Sequence, residues 1–174
     1  GLAQLDITPP PEAIDRLCRY AQLLVEQNKV MNLTAITDPE GIARLHFLDS
    51  AALLPLCGGT AGKSLIDVGT GAGFPGLVLK ILCPELKLTL LDSLGKRVNW
   101  LSQVARELDL KDVTCLHARA EEQALVKGYR DSFDLVTARA VADLRLLSEL
   151  CLPYAKVGGT FLSMKSVDSG EELD

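Results

Sequence analysis

The sequence predicts an α/β fold with a doubly wound, mainly parallel sheet and an N-terminal helical extension. From residue 63 onward, short continuous apolar runs alternate with segments of helical periodicity, a pattern typical of parallel strands covered by helices on both faces. Residues 1–62 show only helical patterns, and the glycines of CGGTAGK mark the boundary between the two parts. We therefore expect a helical segment over residues 1–62 and a ligand-binding sheet domain over residues 63–174.

The extension is predicted to contain two helices. The first lies within PEAIDRLCRYAQLLVEQNK, where apolar residues recur at helical spacing. The second begins near Asp38, a suitable N-cap, with Pro39 at the first helical position and Glu40 in the first turn. It carries His46 in an apolar segment, where we expect a structural or inter-domain polar contact rather than catalysis. The apolar stripe of the first helix comprises Ile14, Leu17, Cys18, Ala21, Leu24 and Val25.

The sheet domain is predicted to contain alternating strands and helices. Strands are expected at residues 64–68, 87–92, 113–118, 133–138 and 159–165. Helices are expected at residues 75–83, 95–110 and 144–155. Trp100 lies in the second of these helices and is expected in the core. Right-handed crossovers bring the carboxyl ends of the strands to one edge, where doubly wound folds bind ligands, so the loop after the first strand is the expected site.

That loop reads DVGTGAGFPG, with glycines at positions 69, 71 and 73. Glycines at this density indicate a sharp turn or the close approach of a ligand. A dinucleotide fingerprint requires G-x-G-x-x-G, but Phe74 occupies the third glycine position, and no Gly-Lys-Ser/Thr follows to form a phosphate loop. Three explanations remain open at this point: S-adenosylmethionine, a nicotinamide or flavin cofactor, or a purely structural turn.

Two aspartates beside the loop favour the first explanation. Asp67 lies just before the loop, where a carboxylate suits an ammonium group better than a pyrophosphate. Asp92 ends the second strand, where a carboxylate can accept hydrogen bonds from both hydroxyls of a ribose. S-adenosylmethionine combines a ribose, a sulfonium and an ammonium and has no phosphate. We therefore expect Asp67, Asp92 and the loop glycines Gly69, Gly71 and Gly73 to bind S-adenosylmethionine; for Asp67 the alternative is that it only braces the loop through backbone N–H groups.

Composition narrows the remaining function classes. The 174-residue chain has a net charge of −5, so binding of nucleic acid would depend on the local placement of basic residues. No apolar run is long enough to span a bilayer and no basic leader precedes an apolar block, so we expect neither a membrane anchor nor a signal peptide. The five cysteines are spread singly, which predicts buried, reduced thiols in a cytoplasmic protein and no metal site.

Several motifs together resemble one known family. The segments IDVGTGAGFPG, LLDSLGKR, RAEE, ARA and NLTAITD…HFLDS are similar to those of the bacterial small-subunit (16S) rRNA guanine-N7 methyltransferases, long called glucose-inhibited division protein B. The resemblance extends over residues 28–165. It implies a class I, Rossmann-like methyltransferase fold. It also implies transfer of a methyl group from S-adenosylmethionine to N7 of a guanine in small-subunit ribosomal RNA, free or within a ribosomal subunit.

The resemblance assigns roles to five positions. Gly69 and Phe74 would line the methionine and adenosine side of the cofactor, and Ala120 and Glu121, after the third strand, would contact the adenine. Arg139, after the fourth strand, would bind beside the reacting end of the cofactor and is our candidate catalytic residue.

The implied substrate explains why no general base is evident in the sequence. Guanine N7 has an exposed lone pair and no proton, so catalysis can rest on positioning, which supplies roughly 7–11 kcal/mol in favourable cases. RNA loops are held through base edges and phosphates, so basic residues near the strand ends are candidate contacts. Arg119 has a structural alternative, an ion pair with Glu121 or Glu122. The candidate substrate-binding residues are Lys96, Arg97, Arg119, Arg139 and Lys165.

Two other functions remain open from the sequence. One is a methyltransferase that uses the same cofactor on a small molecule or a protein, and the other is a non-enzymatic dinucleotide-binding module of the Rossmann type. The segment MKS at residues 164–166 departs from the Lys-Gly usual in the family, although Lys165 is retained. Class I domains usually contain a sixth and seventh strand, which we expect this chain to lack, and we expect a monomer.

Overall fold

A computed structural model describes residues 1–139 and 143–164 of the chain, and five parallel strands form a single sheet there, in the order β3-β2-β1-β4-β5. All neighbouring strands pair in parallel. The chain builds outward from β1 to β3 and then returns to the other side of β1, so the strand order reverses between β1 and β4. The predicted fold class is confirmed. The strands are Ser64–Val68 (β1), Lys87–Asp92 (β2), Val113–His117 (β3), Phe133–Arg139 (β4) and Ala155–Met164 (β5).

Helices precede the sheet and connect its strands. In the N-terminal part these are α1 (Ala13–Asn28), α2 (Pro39–Gly41), a π-helical stretch (Ile42–Leu48) and α3 (Asp49–Ala51). In the sheet part they are α4 (Gly76–Leu82), α5 (Gly95–Glu107), α6 (Ala120–Gln123) and α7 (Leu144–Cys151).

The last helix and strand differ most from their predicted bounds. The helix expected over residues 144–155 ends at Cys151, and a short 3-10 turn over Leu152–Tyr154 follows. Pro153 lies in this turn; it has no N–H to continue an α-helix. As a result, β5 begins at Ala155, before the predicted start at residue 159.

The second N-terminal helix begins as predicted but changes its geometry. The Asp38 carboxylate accepts a hydrogen bond of 2.7 Å from the Gly41 N–H, which confirms the N-cap. From Ile42 to Leu48 the helix widens into π geometry, which the sequence did not indicate. Such wide turns are rare and are frequent at functional sites. His46 lies within this stretch.

The buried face of α1 is rotated from its predicted position. Ala13, Leu17 and Tyr20 are buried, whereas Ile14 is 49% exposed and Cys18 is also exposed. Tyr20 enters the core because its ring stacks on Phe74 and its hydroxyl donates to the Ala72 carbonyl oxygen. The expectation that all cysteines are buried is therefore wrong for Cys18. Ile14 and Cys18 instead line a cavity of about 660 Å³ between α1 and the π-helical stretch.

One core joins the N-terminal helices to the sheet. Leu17 and Ile42 share a cluster of buried residues with Leu65 of β1 and Leu77 of α4. Trp100 belongs to the same cluster, as predicted. The opposite face of the sheet has its own cluster, in which Leu147 of α7 packs. The helical extension therefore lies on the same side of the sheet as α4 and α5.

Within residues 1–139 and 143–164, none of the helices has the length and apolar character that crossing a membrane requires. Over the same ranges, His, Cys, Asp and Glu side chains form no cluster of three or more that could hold a metal ion.

Candidate active site

The loop between β1 and α4 depends on its glycines. Gly69, Gly71 and Gly73 have φ values of 64°, 58° and 99°, a region that residues with a side chain rarely adopt. At Gly73 a Cβ atom would also lie 2.6 Å from the Leu77 Cδ1 and from the Tyr20 hydroxyl. Gly73 therefore allows the loop to pack directly against α4 and α1.

Asp67 holds this loop through hydrogen bonds of its side chain. Its side chain is fully buried. Its Oδ2 accepts hydrogen bonds from the Thr70 hydroxyl (2.7 Å) and the Gly76 N–H (3.0 Å), and its Oδ1 accepts one from the Thr137 hydroxyl (3.0 Å). Burial raises the pKa of this carboxyl to about 7, although the three donors oppose the shift. The expectation that the Asp67 side chain contacts the cofactor is corrected, because the loop and β4 enclose the carboxylate.

Asp92 lies at the carboxyl end of β2 beside a small cavity. Its Oδ2 accepts a hydrogen bond from the Gly71 N–H and its Oδ1 one from the Leu94 N–H, both at 2.9 Å. The cavity measures about 220 Å³, and Gly69, Asp92, Ala120 and Glu121 all line it. Four of the residues predicted to bind the cofactor are thus brought together at the expected edge of the sheet.

The hydrogen bonds of the loop distinguish between the candidate cofactors. A pyrophosphate is held by free backbone N–H groups at the start of the following helix. Here the Asp92 carboxylate occupies the Gly71 N–H and the Asp67 carboxylate occupies the Gly76 N–H. Pro75, at the N-cap of α4, has no N–H to offer. Two acids in place of free donors disfavour a dinucleotide, and Asp92, which lines the cavity, suits a ligand with hydroxyl groups.

Phe74 supports the site without lining this cavity. Its side chain is 2% exposed. Its ring stacks on Tyr20 at 5.3 Å and on His46 at 4.4 Å between centroids. The Phe74 ring is enclosed by α1 and the π-helical stretch, so a contact of Phe74 with the cofactor would come from its backbone, and this contact stays a prediction.

Arg139 lies at the carboxyl end of β4, next to the point where the strand order reverses. Its Nη2 donates to the His46 Nδ1 at 3.0 Å, and its Cζ lies 4.9 Å from the centroid of the Phe74 ring. Burial lowers the pKa of Arg139 from its usual value. Its Nη1 is buried and has no hydrogen-bond partner among the residues that the structure describes. A buried, unsatisfied guanidinium N–H is unusual in a native protein and marks a place where a ligand could bind.

His46 is held as a neutral ring between two polar partners. Because a guanidinium can only donate, the His46 Nδ1 must accept, and the ring proton lies on Nε2. Nε2 lies 2.8 Å from the Thr34 hydroxyl oxygen and donates to it. Burial first, and the charge of Arg139 second, lower the pKa of His46 to about 4. The predicted inter-domain polar contact of His46 is confirmed by its bond to β4.

The basic residues expected to bind substrate lie in different surroundings. Lys96 is exposed at the start of α5, and the Arg97 Nη1 lies 3.8 Å from the Asp92 Oδ2. Arg119 forms the expected pair with Glu121, at 3.4 Å. Both partners of that pair are more than half exposed, so the pair contributes little stability and leaves Arg119 accessible. Lys165 lies outside the residues that the structure describes.

Three residues of the site were not identified from the sequence. Thr70 and Thr137 hold the Asp67 carboxylate, and Thr34 holds His46. Thr137 lies 70 residues from Asp67 and Thr34 lies 12 residues from His46, so no local pattern indicates these two contacts. The available signals were the position of Thr70, three residues after Asp67 in the glycine loop, and that of Thr137 near the end of a predicted strand.

Comparison with known proteins identifies the family. The model of the family GidB, rRNA small subunit methyltransferase G, matches residues 13–174. The ribosomal RNA small subunit methyltransferase G of Acetivibrio thermocellus is 48% identical over 174 residues, which are 100% of this chain and 71% of the relative. Among solved structures, a methyltransferase from Aquifex aeolicus that depends on S-adenosylmethionine has a TM-score of 0.51 at 26% identity, over 68% of this chain and 63% of its own. A protein from Methanococcus maripaludis assigned to the same class has a TM-score of 0.61 at 16% identity, over 87% and 65%, and supports the fold alone. From its family match and its close relatives, the chain belongs to the rRNA small subunit methyltransferase G family.

Proposed function

We propose that this chain transfers the methyl group of S-adenosylmethionine to N7 of a guanine in small-subunit (16S) ribosomal RNA, free or within a ribosomal subunit. The observation that carries the proposal is the glycine loop whose backbone donors are occupied by Asp67 and Asp92, in a chain of a family named for rRNA methylation. This substrate implies action in the cytoplasm, and we expect the enzyme to act as a monomer.

The cavity beside Asp92 fits the adenosine part of this cofactor. Both oxygens of the Asp92 carboxylate accept one backbone hydrogen bond each and can still accept another from a ribose hydroxyl. Ala120, Glu121 and Gly69 line the same cavity, and the first two would contact the adenine. At about 220 Å³ the cavity is smaller than the roughly 300–1,000 Å³ typical of complete ligand sites. The methionine part would therefore need space outside this cavity, and Arg139 is the residue that would hold the reacting end.

The reaction requires positioning rather than proton transfer. When bound, S-adenosylmethionine supplies an electrophilic methyl group on a sulfonium. Guanine N7 can attack that methyl group without losing a proton, so no residue need act as a general base. This agrees with His46, whose nitrogens are both engaged, and with Arg139, which can only donate. Arg139 would orient the reacting groups with its Nη1, which has no partner within residues 1–139 and 143–164.

Contacts to the RNA would come from basic residues around the strand ends. Lys96, Arg97 and Arg119 lie at the starts of α5 and α6, and Lys165 follows β5 in the sequence. Such contacts neutralise phosphates, so binding should weaken as the salt concentration rises. They would hold the RNA while the target guanine is turned into the site.

The proposal is tested by transfer of a labelled methyl group. Naked 16S rRNA and small ribosomal subunits, both lacking N7-methylguanine, are incubated with the enzyme and labelled S-adenosylmethionine. We expect incorporation into at least one substrate, and chemical cleavage at N7-methylguanine should map it to a single nucleotide. Incorporation into another acceptor but not into either RNA substrate would refute the proposed acceptor. In calorimetry, binding of NAD but not of S-adenosylmethionine would refute the cofactor.

Asp92→Ala should weaken the binding of S-adenosylmethionine by roughly 1–3 kcal/mol, the range for hydrogen bonds to a charged group. The substitution removes the ribose acceptor and also frees the Gly71 N–H. Calorimetry measures Kd, and Tm is recorded to separate affinity from stability. Asp15→Ala, which removes an exposed carboxylate on α1, is the control. An unchanged Kd for Asp92→Ala would place the ribose elsewhere.

A further inference from the structure

The turn after α1 is built around one asparagine side chain. The Asn28 Oδ1 accepts hydrogen bonds from the Leu33 N–H (2.8 Å) and the Thr34 N–H (3.0 Å). Its Nδ2 donates to the Thr34 carbonyl oxygen at 2.9 Å. Both the N–H and the carbonyl of Thr34 are thereby fixed, so the Thr34 side chain has a defined place.

The Thr34 hydroxyl in turn fixes His46. Its Oγ1 accepts from the Ile36 N–H at 3.0 Å and lies 2.8 Å from the His46 Nε2. On its face, the His46 ring stacks on Phe74, with a tilt of 14° between the planes. A hydrogen bond on one nitrogen and a stacked ring on one face leave the Nδ1 lone pair with a single direction. That direction leads to Arg139.

From this chain of contacts we propose that His46 is a positioning residue, which holds the Arg139 guanidinium so that its Nη1 remains available to a ligand where the strand order reverses. The nature of that ligand rests on the proposed function, but the contact itself does not. The Asn28 and Thr34 side chains fix His46, and the N-terminal helices thus orient a side chain of the sheet domain.

The neutral charge of the His46 ring affects the charge that Arg139 presents to a ligand. A carboxylate in the place of His46 would orient Arg139 equally well, but it would also neutralise the charge that acts on the ligand. An imidazole that accepts through Nδ1 orients the guanidinium and leaves its positive charge intact. The Phe74 ring, 4.9 Å from Cζ, adds a second contact without net charge. The hydrogen bond and the ring contact of the guanidinium are therefore with neutral groups, while the carboxylates of Asp49 and Asp67 interact with its charge electrostatically.

The same position would also suit a histidine with only a packing role. The two roles predict different activities for three variants of His46. His46→Asn retains an acceptor near the position of Nδ1, whereas His46→Gln retains a donor near the position of Nε2. His46→Leu retains apolar volume and loses both. If His46 positions Arg139, activity should follow the Nδ1 acceptor. If His46 only packs, activity should follow stability in all three variants.

The first test measures kcat, KM, the Kd of S-adenosylmethionine and Tm for these three variants. We expect kcat to fall about tenfold in His46→Leu and His46→Gln, with recovery of most of it in His46→Asn and with little change in Kd. Phe47→Leu is the matched control, because Phe47 follows His46 in the chain and packs against Tyr20 and Phe74, but its side chain has no group that could accept a hydrogen bond from Arg139. It should lower Tm and retain kcat. Equal kcat in His46→Leu and wild type would overturn the proposal.

A second test does not require activity. The chain has only two histidines, so the nitrogen resonances of His46 can be assigned in the free protein. We expect the Nε2–H tautomer in the wild type, and an Nδ1 shift toward an unbonded nitrogen in Arg139→Met. An Nδ1 resonance that does not respond to Arg139→Met would overturn the contact whatever the enzyme methylates. Conversely, failure of rRNA methylation by the wild type with the expected shift would overturn the proposed function and leave the contact intact.

Discussion

Asp67→Ala should lower the free energy of unfolding by about 2–4 kcal/mol, because it leaves buried donors without an acceptor. The Thr70 hydroxyl, the Gly76 N–H and the Thr137 hydroxyl all donate to this carboxylate. Asp67→Asn should recover part of the loss, since an amide oxygen can accept from Thr70 and Gly76 while its NH₂ donates to a reoriented Thr137 hydroxyl. Urea denaturation of the three proteins measures the differences.

The difference in stability between the wild type and Asp67→Asn should also depend on pH. In the folded protein the pKa of Asp67 is raised to about 7 from 3.8, so the native state holds this proton more tightly than the unfolded state does. The contribution of Asp67 to stability is therefore complete below about pH 4 and is lost as the pH rises to about 7. Asp67→Asn has no such proton. We expect the stability advantage of the wild type over Asp67→Asn to shrink over this interval.

Two results would contradict this interpretation. One is an Asp67→Ala protein as stable as the wild type, which would mean that the loop does not depend on the carboxylate. The other is a difference between wild type and Asp67→Asn that grows as the pH rises, which would mean that the three donors outweigh burial and lower the pKa. Thr137→Val provides a matched control, because it removes one donor and retains the carboxylate.

The sequence was sufficient for the first four strands because each of them is a local pattern, whereas β5 begins before its predicted start. The first two strands begin and end as predicted, at Ser64–Val68 and Lys87–Asp92. Asp92 could be placed at the cofactor edge for the same reason, since the carboxyl ends of parallel strands meet there. Ala120 and Glu121 line the cavity for the same reason, because they follow the carboxyl end of β3.

The sequence was not sufficient where a side chain depends on distant residues. Asp67 has the same local pattern as Asp92, namely an acid at the end of an apolar strand. The difference arises because Thr137 reaches Asp67 from β4, whereas a cavity lies beside Asp92. Phe74 is enclosed by residues that come from α1 and the π-helical stretch. Neither environment can be derived from residues close in the sequence.

Arg139→Met should lower kcat about a hundredfold, within the range for loss of a hydrogen bond from a charged group to the reacting centre. Methionine retains much of the packing on Phe74 and removes both the charge and the donors. The loss of stability should be small, since removal of a half-buried charge offsets the bond lost at His46. Single-turnover rates at saturating S-adenosylmethionine, together with Tm, separate the two effects.

Arg139→Lys is the stricter test of the geometry. A lysine retains the charge, but its single ammonium cannot reproduce the fork in which Nη2 is bound to His46 while Nη1 has no partner in the described part of the chain. We therefore expect Arg139→Lys to recover little of the lost kcat while the Kd of S-adenosylmethionine stays close to that of the wild type. Full recovery by lysine would show that charge alone is needed at this strand end. A kcat that falls only in proportion to Tm in both variants would assign Arg139 a structural role, as the link between the N-terminal helices and the sheet.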